Sequence, residues 1–218
     1  SNTVGRGHVS FGTFGTPQHY GISDVIADYL ADFPEVRLRV VGRNSSTTAE
    51  AVRTGALDAA VIALPIDAAG LEVRPIYTGE VVYVSTRRSR TRQPVRIEDL
   101  AERPFILYEA LFGTDDPTRR QLSARAQAAG VHIDARVHVE FAETALDLAA
   151  RGVADTYAPQ VMVAGLDRRL SAVSFDPPLI DTFALISRTG ARLSRPVSEL
   201  TARVAAHFGR LTTQHDGR

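Results

Sequence analysis

Short apolar runs alternate with longer amphipathic runs through most of the sequence. Residues 8–14 alternate apolar and polar side chains as a strand does, and residues 22–33 repeat apolar side chains at helical spacing. An apolar run at 36–41, an amphipathic run at 47–55 and an apolar run at 59–64 follow in the same order. Strands that alternate with helices in this way predict parallel βαβ units, and therefore an α/β fold.

The rest of the chain continues the alternation. Further strands are predicted at residues 71–76, 80–86, 104–108, 135–141, 153–158, 170–175 and 181–186. Further helices are predicted at residues 97–101, 117–129, 142–151 and 195–211. The polar residues 87–96 separate two groups of elements and indicate a boundary between two lobes.

Several helix starts carry residues that commonly cap helices. Thr16 is predicted to cap the first helix, with Pro17 in its first turn. Thr47 with Glu50 is predicted to form a capping box. Asp115 and Asp116, which precede Pro117, are predicted to start the helix at residues 117–129.

The composition argues against several classes of function. The 25 basic and 25 acidic residues give zero net charge, so a domain-wide electrostatic footprint for nucleic acid is missing. The absence of cysteine excludes disulfides and thiolate chemistry within this chain. No apolar run approaches the roughly 20 residues of a membrane span, and no signal-peptide pattern opens the chain, so we expect a cytoplasmic location.

Common catalytic and metal-binding motifs are also missing. The sequence contains no G-x-S-x-G, P-loop, H-E-x-x-H or G-x-G-x-x-G motif. His132 and His138 lack a third ligand at metal-binding spacing, and the arginine-rich residues 87–92 are predicted to form a solvated loop. We therefore expect no enzyme activity, no catalytic residue, no metal and no cofactor.

The order of six segments resembles the effector-binding domain of LysR-type transcriptional regulators. The two most specific pieces are DFPEVRL and GALDAAVI. They lie within HVSFGTFGTPQHYGISDVIADYLADFPEVRLRV and EAVRTGALDAAVIALP, and the chain continues with LEVRPIYTGEVVYVS, VRIEDLAERPFILY, DLAARGVADTYAPQVM and DTFALISR. The resemblance implies a type 2 periplasmic-binding-protein fold, in which two Rossmann-like lobes are joined by two crossover strands and a small molecule binds in the cleft. It assigns residues 4–85 and 187–218 to the first lobe and residues 86–186 to the second.

Full-length members of that family begin with a winged helix-turn-helix, whereas this chain opens directly on its first strand. We therefore expect that the DNA-binding part is absent from this chain. The resemblance implies a bacterial ligand-sensing domain that forms a homodimer or tetramer. It also implies contact with DNA only through the missing N-terminal domain, and no membrane partner.

Ligands of open α/β sheets bind beyond the carboxyl ends of the strands, so the loops after the predicted strands are the candidate site. Several of these loops begin helices, where N–H groups and hydroxyls favour an anion, and aromatic side chains provide an apolar wall. The effector is therefore predicted to be a small organic anion. The predicted effector contacts are Thr13, Phe14, Gly15, Thr16, Gln18, His19, Tyr20, Asn44, Ser45, Ser46, Leu64, Tyr108, Phe112, Phe141, Thr144, Thr156 and Tyr157.

Each of these residues also has a structural interpretation. Hydroxyl residues such as Thr16 and Ser45 are common helix caps, and single aromatic residues most often belong to the core. Two other functions also stay open: a stand-alone solute-binding protein of a transporter, and a small enzyme on the same fold. The enzyme would need an acid or base, for which the candidates are His19, Tyr20, Glu109 and Glu143.

Overall fold

The computed structural model describes residues 7–15, 17–42 and 44–215, with side chains up to residue 212. The strands of this part are β1 (His8–Gly12), β2 (Arg37–Val41), β3 (Ala59–Ala63), β4 (Leu71–Ser85), β5 (Phe105–Leu107), β6 (Ala135–His138), β7 (Thr156–Pro159) and β8 (Ser171–Arg188). The α-helices are α1 (Ile22–Asp32), α2 (Ser45–Arg53), α3 (Pro117–Ala129), α4 (Ala142–Ala150) and α5 (Arg195–His215). No helix in the described ranges is long and apolar enough to cross a membrane.

The described residues form two compact units. Unit 1 contains the chain up to Thr78 and from Thr182 onwards, and unit 2 contains Gly79–Asp181. Strands β4 and β8 each pass from one unit into the other within their length. The boundaries predicted from the sequence, after Ser85 and after Ile186, lie a few residues further along the chain than these junctions.

Unit 1 contains the parallel βαβ arrangement that the alternation of strands and helices predicts. Strand β1 pairs in parallel with β2 on one side and with β3 on the other. Strand β8 is antiparallel to β3, with Ala60 opposite Ile186. Small and branched side chains of α2 and these strands, including Ala49, Val52 and Ile62, form a buried core between the helix and the sheet.

Helix α1 begins later than the sequence predicts. Pro17 starts a short 3₁₀ turn that ends at Tyr20, and the α-helix starts at Ile22 after Gly21, whose φ of 76° suits glycine. The predicted cap, Thr16, lies outside the described residues. Beyond this start, Tyr29 is fully buried on the inner face of α1, and its hydroxyl donates to the carbonyl of Pro196 at 2.8 Å.

In unit 2, β5 is parallel to β6, and β7 is antiparallel to β4. Helix α3 begins as the sequence predicts: the Asp116 carboxylate accepts from the N–H of Arg119 at 3.0 Å, and Pro117 occupies the first turn. The core of the unit is rich in aromatic side chains, with Tyr83 stacked on Phe105.

Two predicted pairs of strands are continuous in the structure. Residues 71–76 and 80–85 belong to the single strand β4, and residues 171–175 and 181–186 belong to β8. Gly79 lies within β4, and Pro177 and Pro178 lie within β8, although glycine and proline usually end strands. The backbone nevertheless stays extended through all three positions.

Candidate functional site

The strongest candidate site in unit 1 lies where the carboxyl ends of β1 and β2 meet the start of α2. The N–H of Thr13, just after β1, donates to the carbonyl of Val41 at 2.9 Å. The hydroxyl of Ser45, the first residue of α2, accepts from the N–H of Ala63 at 3.1 Å. These bonds hold the start of the helix against the ends of the strands. We call Thr13, Gly42, Asn44, Ser46 and Thr48 the α2 site.

Asn44 caps α2. Its side-chain oxygen accepts from the N–H groups of Ser46 at 2.9 Å and Thr47 at 3.2 Å. The predicted capping box of Thr47 with Glu50 is therefore wrong, because Thr47 lies inside the helix and Glu50 pairs with Arg53. This cap occupies two of the helix N–H groups that were predicted to bind an anion.

The hydroxyls of Thr13 and Thr48 differ from the other polar groups of this region. Thr13 is 4% exposed and Thr48 is 2% exposed, and neither hydroxyl has a hydrogen-bond partner within the part of the chain that is described. A Cβ added to Gly42 would lie 2.6 Å from the Thr48 hydroxyl oxygen and 2.9 Å from the Thr13 carbonyl oxygen. The Thr48 hydroxyl and the Thr13 backbone carbonyl therefore both lie close to Gly42, and Ser46 is exposed in the first turn of α2.

The other predicted contacts of unit 1 have mixed environments. Phe14 and Tyr20 are buried in an aromatic cluster, in which Phe14 stacks on Phe183 with ring centres 4.4 Å apart and Tyr20 meets Phe183 edge-on. Gly15 and Gln18 are exposed. The remaining two, His19 and Leu64, are half-buried.

Three predicted contacts of unit 2 are core residues. Thr156 and Tyr157 are fully buried and Tyr108 is 7% exposed. The hydroxyl of Thr156 donates to the carbonyl of Ile106 at 2.9 Å, and the rings of Tyr108 and Tyr157 stack 4.1 Å apart. Burial raises the pKa of Tyr157 well above its ordinary value. The polar stretch of β7 thus has partners inside unit 2.

The remaining predicted contacts of unit 2 are more accessible. Phe112 is half-buried, Phe141 is 46% exposed, and Thr144 is exposed in the first turn of α4. Sequence reasoning missed Leu111, which is 76% exposed and whose N–H donates to Glu140 at 3.0 Å. This bond brings the loops after β5 and β6 together, so unit 2 presents two exposed apolar side chains in neighbouring loops.

A buried polar cluster around Asp155 in unit 2 was also missed. The Asp155 carboxylate accepts from the hydroxyls of Tyr83 and Ser85 and from Arg90, the last at 2.8 Å. Burial and the hydrogen bond to Asp155 raise the pKa of Tyr83 far above its ordinary value. The prediction that residues 87–92 form a solvated loop is wrong for Arg90, whose side chain is 23% exposed and paired.

The described residues include no group of three histidine, aspartate or glutamate side chains that could hold a metal ion. The ring nitrogen of His138 lies 3.4 Å from the guanidinium of Arg119.

A family model for the LysR substrate binding domain matches residues 2–209. The chain belongs to this family. The match confirms the resemblance found in the sequence. A relative from Bacillus subtilis, an HTH-type transcriptional regulator, is 25% identical over 179 residues, which cover 72% of this chain and 54% of the relative. A probable hydrogen peroxide-inducible genes activator from Mycobacterium xenopi is 38% identical over 77 residues, which cover 35% of this chain and 41% of the relative. The chain thus spans about half, or less, of these relatives.

Solved structures of LysR-type domains confirm the type 2 periplasmic-binding-protein fold. The regulatory domain of CcmR from Synechocystis, solved with 2-PG, has a TM-score of 0.79 at 17% identity, covering 93% of this chain and 98% of that one. The BenM effector-binding domain with its effector benzoate has a TM-score of 0.77 at 17% identity, covering 94% of both chains. The QuiR effector-binding domain with shikimate has a TM-score of 0.75 at 12% identity, covering 96% of this chain and 98% of that one.

Proposed function

We propose that this chain is the ligand-sensing domain of a bacterial LysR-type regulator and that it binds a small organic anion at the α2 site. Family membership supports the sensing role. The ligands named for two structural neighbours, benzoate and shikimate, are organic carboxylates. They support the class of ligand and leave its identity open.

The observation that carries the proposed site is the pair of buried, unpartnered hydroxyls of Thr13 and Thr48. Buried hydroxyls in folded proteins almost always have a partner, because an unmade hydrogen bond costs free energy. A carboxylate at the α2 site would accept from both hydroxyls and from the exposed Ser46. The start of α2 adds a positive dipole end, although Asn44 already occupies two of its N–H groups.

Peroxide sensing through a thiol is a poor candidate, despite the names of some relatives. Reversible peroxide sensing by a protein side chain usually oxidises a reactive cysteine, and this chain has no cysteine. Small-molecule binding is the better match to the chain's composition.

The assembly around the domain is likewise proposed from the family. The relatives are transcriptional regulators, which favours a regulatory domain over a transporter's solute-binding protein or an enzyme. We infer that the domain forms a homodimer or tetramer and reaches DNA only through a separate DNA-binding domain. Effector binding then regulates by favouring one of two arrangements of that assembly.

The test is a titration of the chain with a panel of organic carboxylates, amines and neutral sugars, followed by thermal shift and calorimetry. We expect at least one carboxylate to bind. For that ligand, Thr13→Val and Thr48→Val should each weaken binding about tenfold, since each removes a hydrogen bond to a charged group. Ser46→Ala should weaken binding less, because Ser46 is exposed.

Thr54→Val is the matched control, since Thr54 lies at the opposite end of α2 and is exposed. It should bind as tightly as the parent chain. Binding by amines or sugars only, or carboxylate binding that is equally tight in all four variants, would contradict the proposed site.

A further inference from the structure

Unit 2 contains a separate cavity of about 330 Å³ beside α3. It lies between α3, the end of β5 and the turn that follows α3. Its floor is apolar and buried, formed by Leu107 at 8% exposure, Leu122 at 1% and Ala126 at 7%. We call this cavity the α3 pocket. Its volume lies at the small end of the range of about 300–1,000 Å³ that is typical of small-molecule sites.

The edge of the α3 pocket is polar and carries one full charge. Arg119, Gln127 and His132 line it together with short hydroxyl side chains. Among the described residues that line the pocket, no aspartate or glutamate is present, so Arg119 sets the sign of the local charge. Asp116 lies close to Arg119, but its carboxylate already accepts from the N–H of Arg119 as the cap of α3.

The guanidinium of Arg119 is weakly bonded inside the protein. One terminal nitrogen donates to the carbonyl of Glu109 at 3.3 Å, and the other lies 3.4 Å from the ring nitrogen of His138. Both distances are long, since the usual N–H···O distance is about 2.9–3.0 Å. A carboxylate would form shorter, charge-assisted bonds with the two terminal nitrogens. The guanidinium is therefore able to turn towards an anion without losing strong contacts.

We propose that the α3 pocket is a second ligand site, which binds a small carboxylate with an apolar or aromatic body. The body contacts Leu107, Leu122 and Ala126, and the carboxylate pairs with Arg119 at the edge. The site lies wholly within unit 2 and has no residue in common with the α2 site, so the two proposals stand or fall independently.

The test uses phenylacetate as the probe and phenylacetamide as its uncharged counterpart, followed by backbone amide NMR of the whole chain. Phenylacetate should give saturable shifts for the amides of Ser123, Gln127 and Val131. Phenylacetamide should bind at least about tenfold more weakly than phenylacetate, because it has no charge to pair with Arg119.

Two variants and two controls locate the site. Arg119→Met keeps the side-chain length, removes the charge, and should weaken phenylacetate binding about tenfold. Ser123→Phe fills the pocket from an exposed position and should abolish the shifts. Arg120→Met and Ala128→Phe change exposed neighbours on α3 that do not line the pocket, and both should bind as the parent chain does.

The amide spectrum of each variant also reports whether it is folded. The proposal is overturned if phenylacetate gives no saturable shift at these amides. It is equally overturned if phenylacetamide binds as tightly as phenylacetate, or if the folded Arg119→Met and Ser123→Phe variants bind phenylacetate with full affinity.

Discussion

The Asp155 cluster in unit 2 and the α2 site in unit 1 both contain buried polar side chains. The two regions differ in whether those side chains have hydrogen-bond partners. Around Asp155, two hydroxyls and one guanidinium donate to a single carboxylate. At the α2 site, two buried hydroxyls have no partner in the described chain. The contrast suggests that the first arrangement stabilises the fold, whereas the second is available to a ligand.

The largest expected effect comes from breaking the Asp155 cluster. Asp155→Ala leaves the guanidinium of Arg90 and the hydroxyl of Tyr83 without their acceptor in a buried setting. We expect the free energy of unfolding, measured by urea titration, to fall by about 4 kcal/mol.

Asp147→Ala is the control, since it removes a carboxylate of the same unit from an exposed pair with Arg151. Its effect should stay below about 1 kcal/mol. Similar losses for the two variants would show that the Asp155 cluster does not stabilise the fold.

Asp181 is an intermediate case, because its carboxyl has hydrogen bonds but no neighbouring cation among the described residues. Thr118 and Gln121 donate to it, and Asp116 is the nearby charge. Burial raises the pKa of Asp181 to about 7, against 3.8 for the free side chain. Between these pH values the unfolded chain releases its proton before the folded one does, so stability falls as pH rises and then becomes constant.

In the Asp181→Asn variant the side chain cannot ionise, so its free energy of unfolding should not fall with rising pH for this reason. Well below pH 3.8, Asp181 is protonated in both the folded and the unfolded chain, and the variant and the parent chain should then differ least. Above pH 7 the stability of the variant relative to the parent chain should have risen by up to about 4 kcal/mol from its value at low pH. Urea unfolding at a series of pH values measures the gain, and a difference that is independent of pH would contradict the assignment.

The smallest expected effect compares two buried threonines directly. Thr156→Val removes the hydrogen bond to the carbonyl of Ile106 and should destabilise the chain by about 1.5 kcal/mol. Thr48→Val removes no bond within the described chain and should change the free energy of unfolding by less than about 0.5 kcal/mol. Equal losses in urea unfolding would mean that the hydroxyl of Thr48 has a structural partner in solution.

The sequence predicted features that depend on neighbouring residues. Asp116 and Pro117 start α3 as expected, because a cap and the first turn are set by adjacent positions. The alternation of strands and helices predicted parallel βαβ units, and β1 is parallel to both β2 and β3.

Features that depend on distant residues were not predictable. Asn44 and Thr47 are both suitable caps, and the observed start of α2 is held by a bond that the N–H of Ala63, 18 positions away, donates to the hydroxyl of Ser45. The partners of Asp155 lie 65 to 72 positions away, so no local pattern indicates that Arg90 is paired. Thr13 was predicted from its place after β1, whereas the role proposed for Thr48 follows only from its burial without a partner.

The close approach of α2 to β1 has a consequence for anyone who wishes to retune this domain as a biosensor. A Cβ added to Gly12 would lie 2.5 Å from a methyl group of Thr48 and 2.8 Å from Ala60. In a randomised library, position 12 should therefore accept little besides glycine, and substitutions at position 48 should be confined to side chains of similar size. Diversity is better directed to the exposed Ser46, where new side chains can reach a ligand without separating the helix from the sheet.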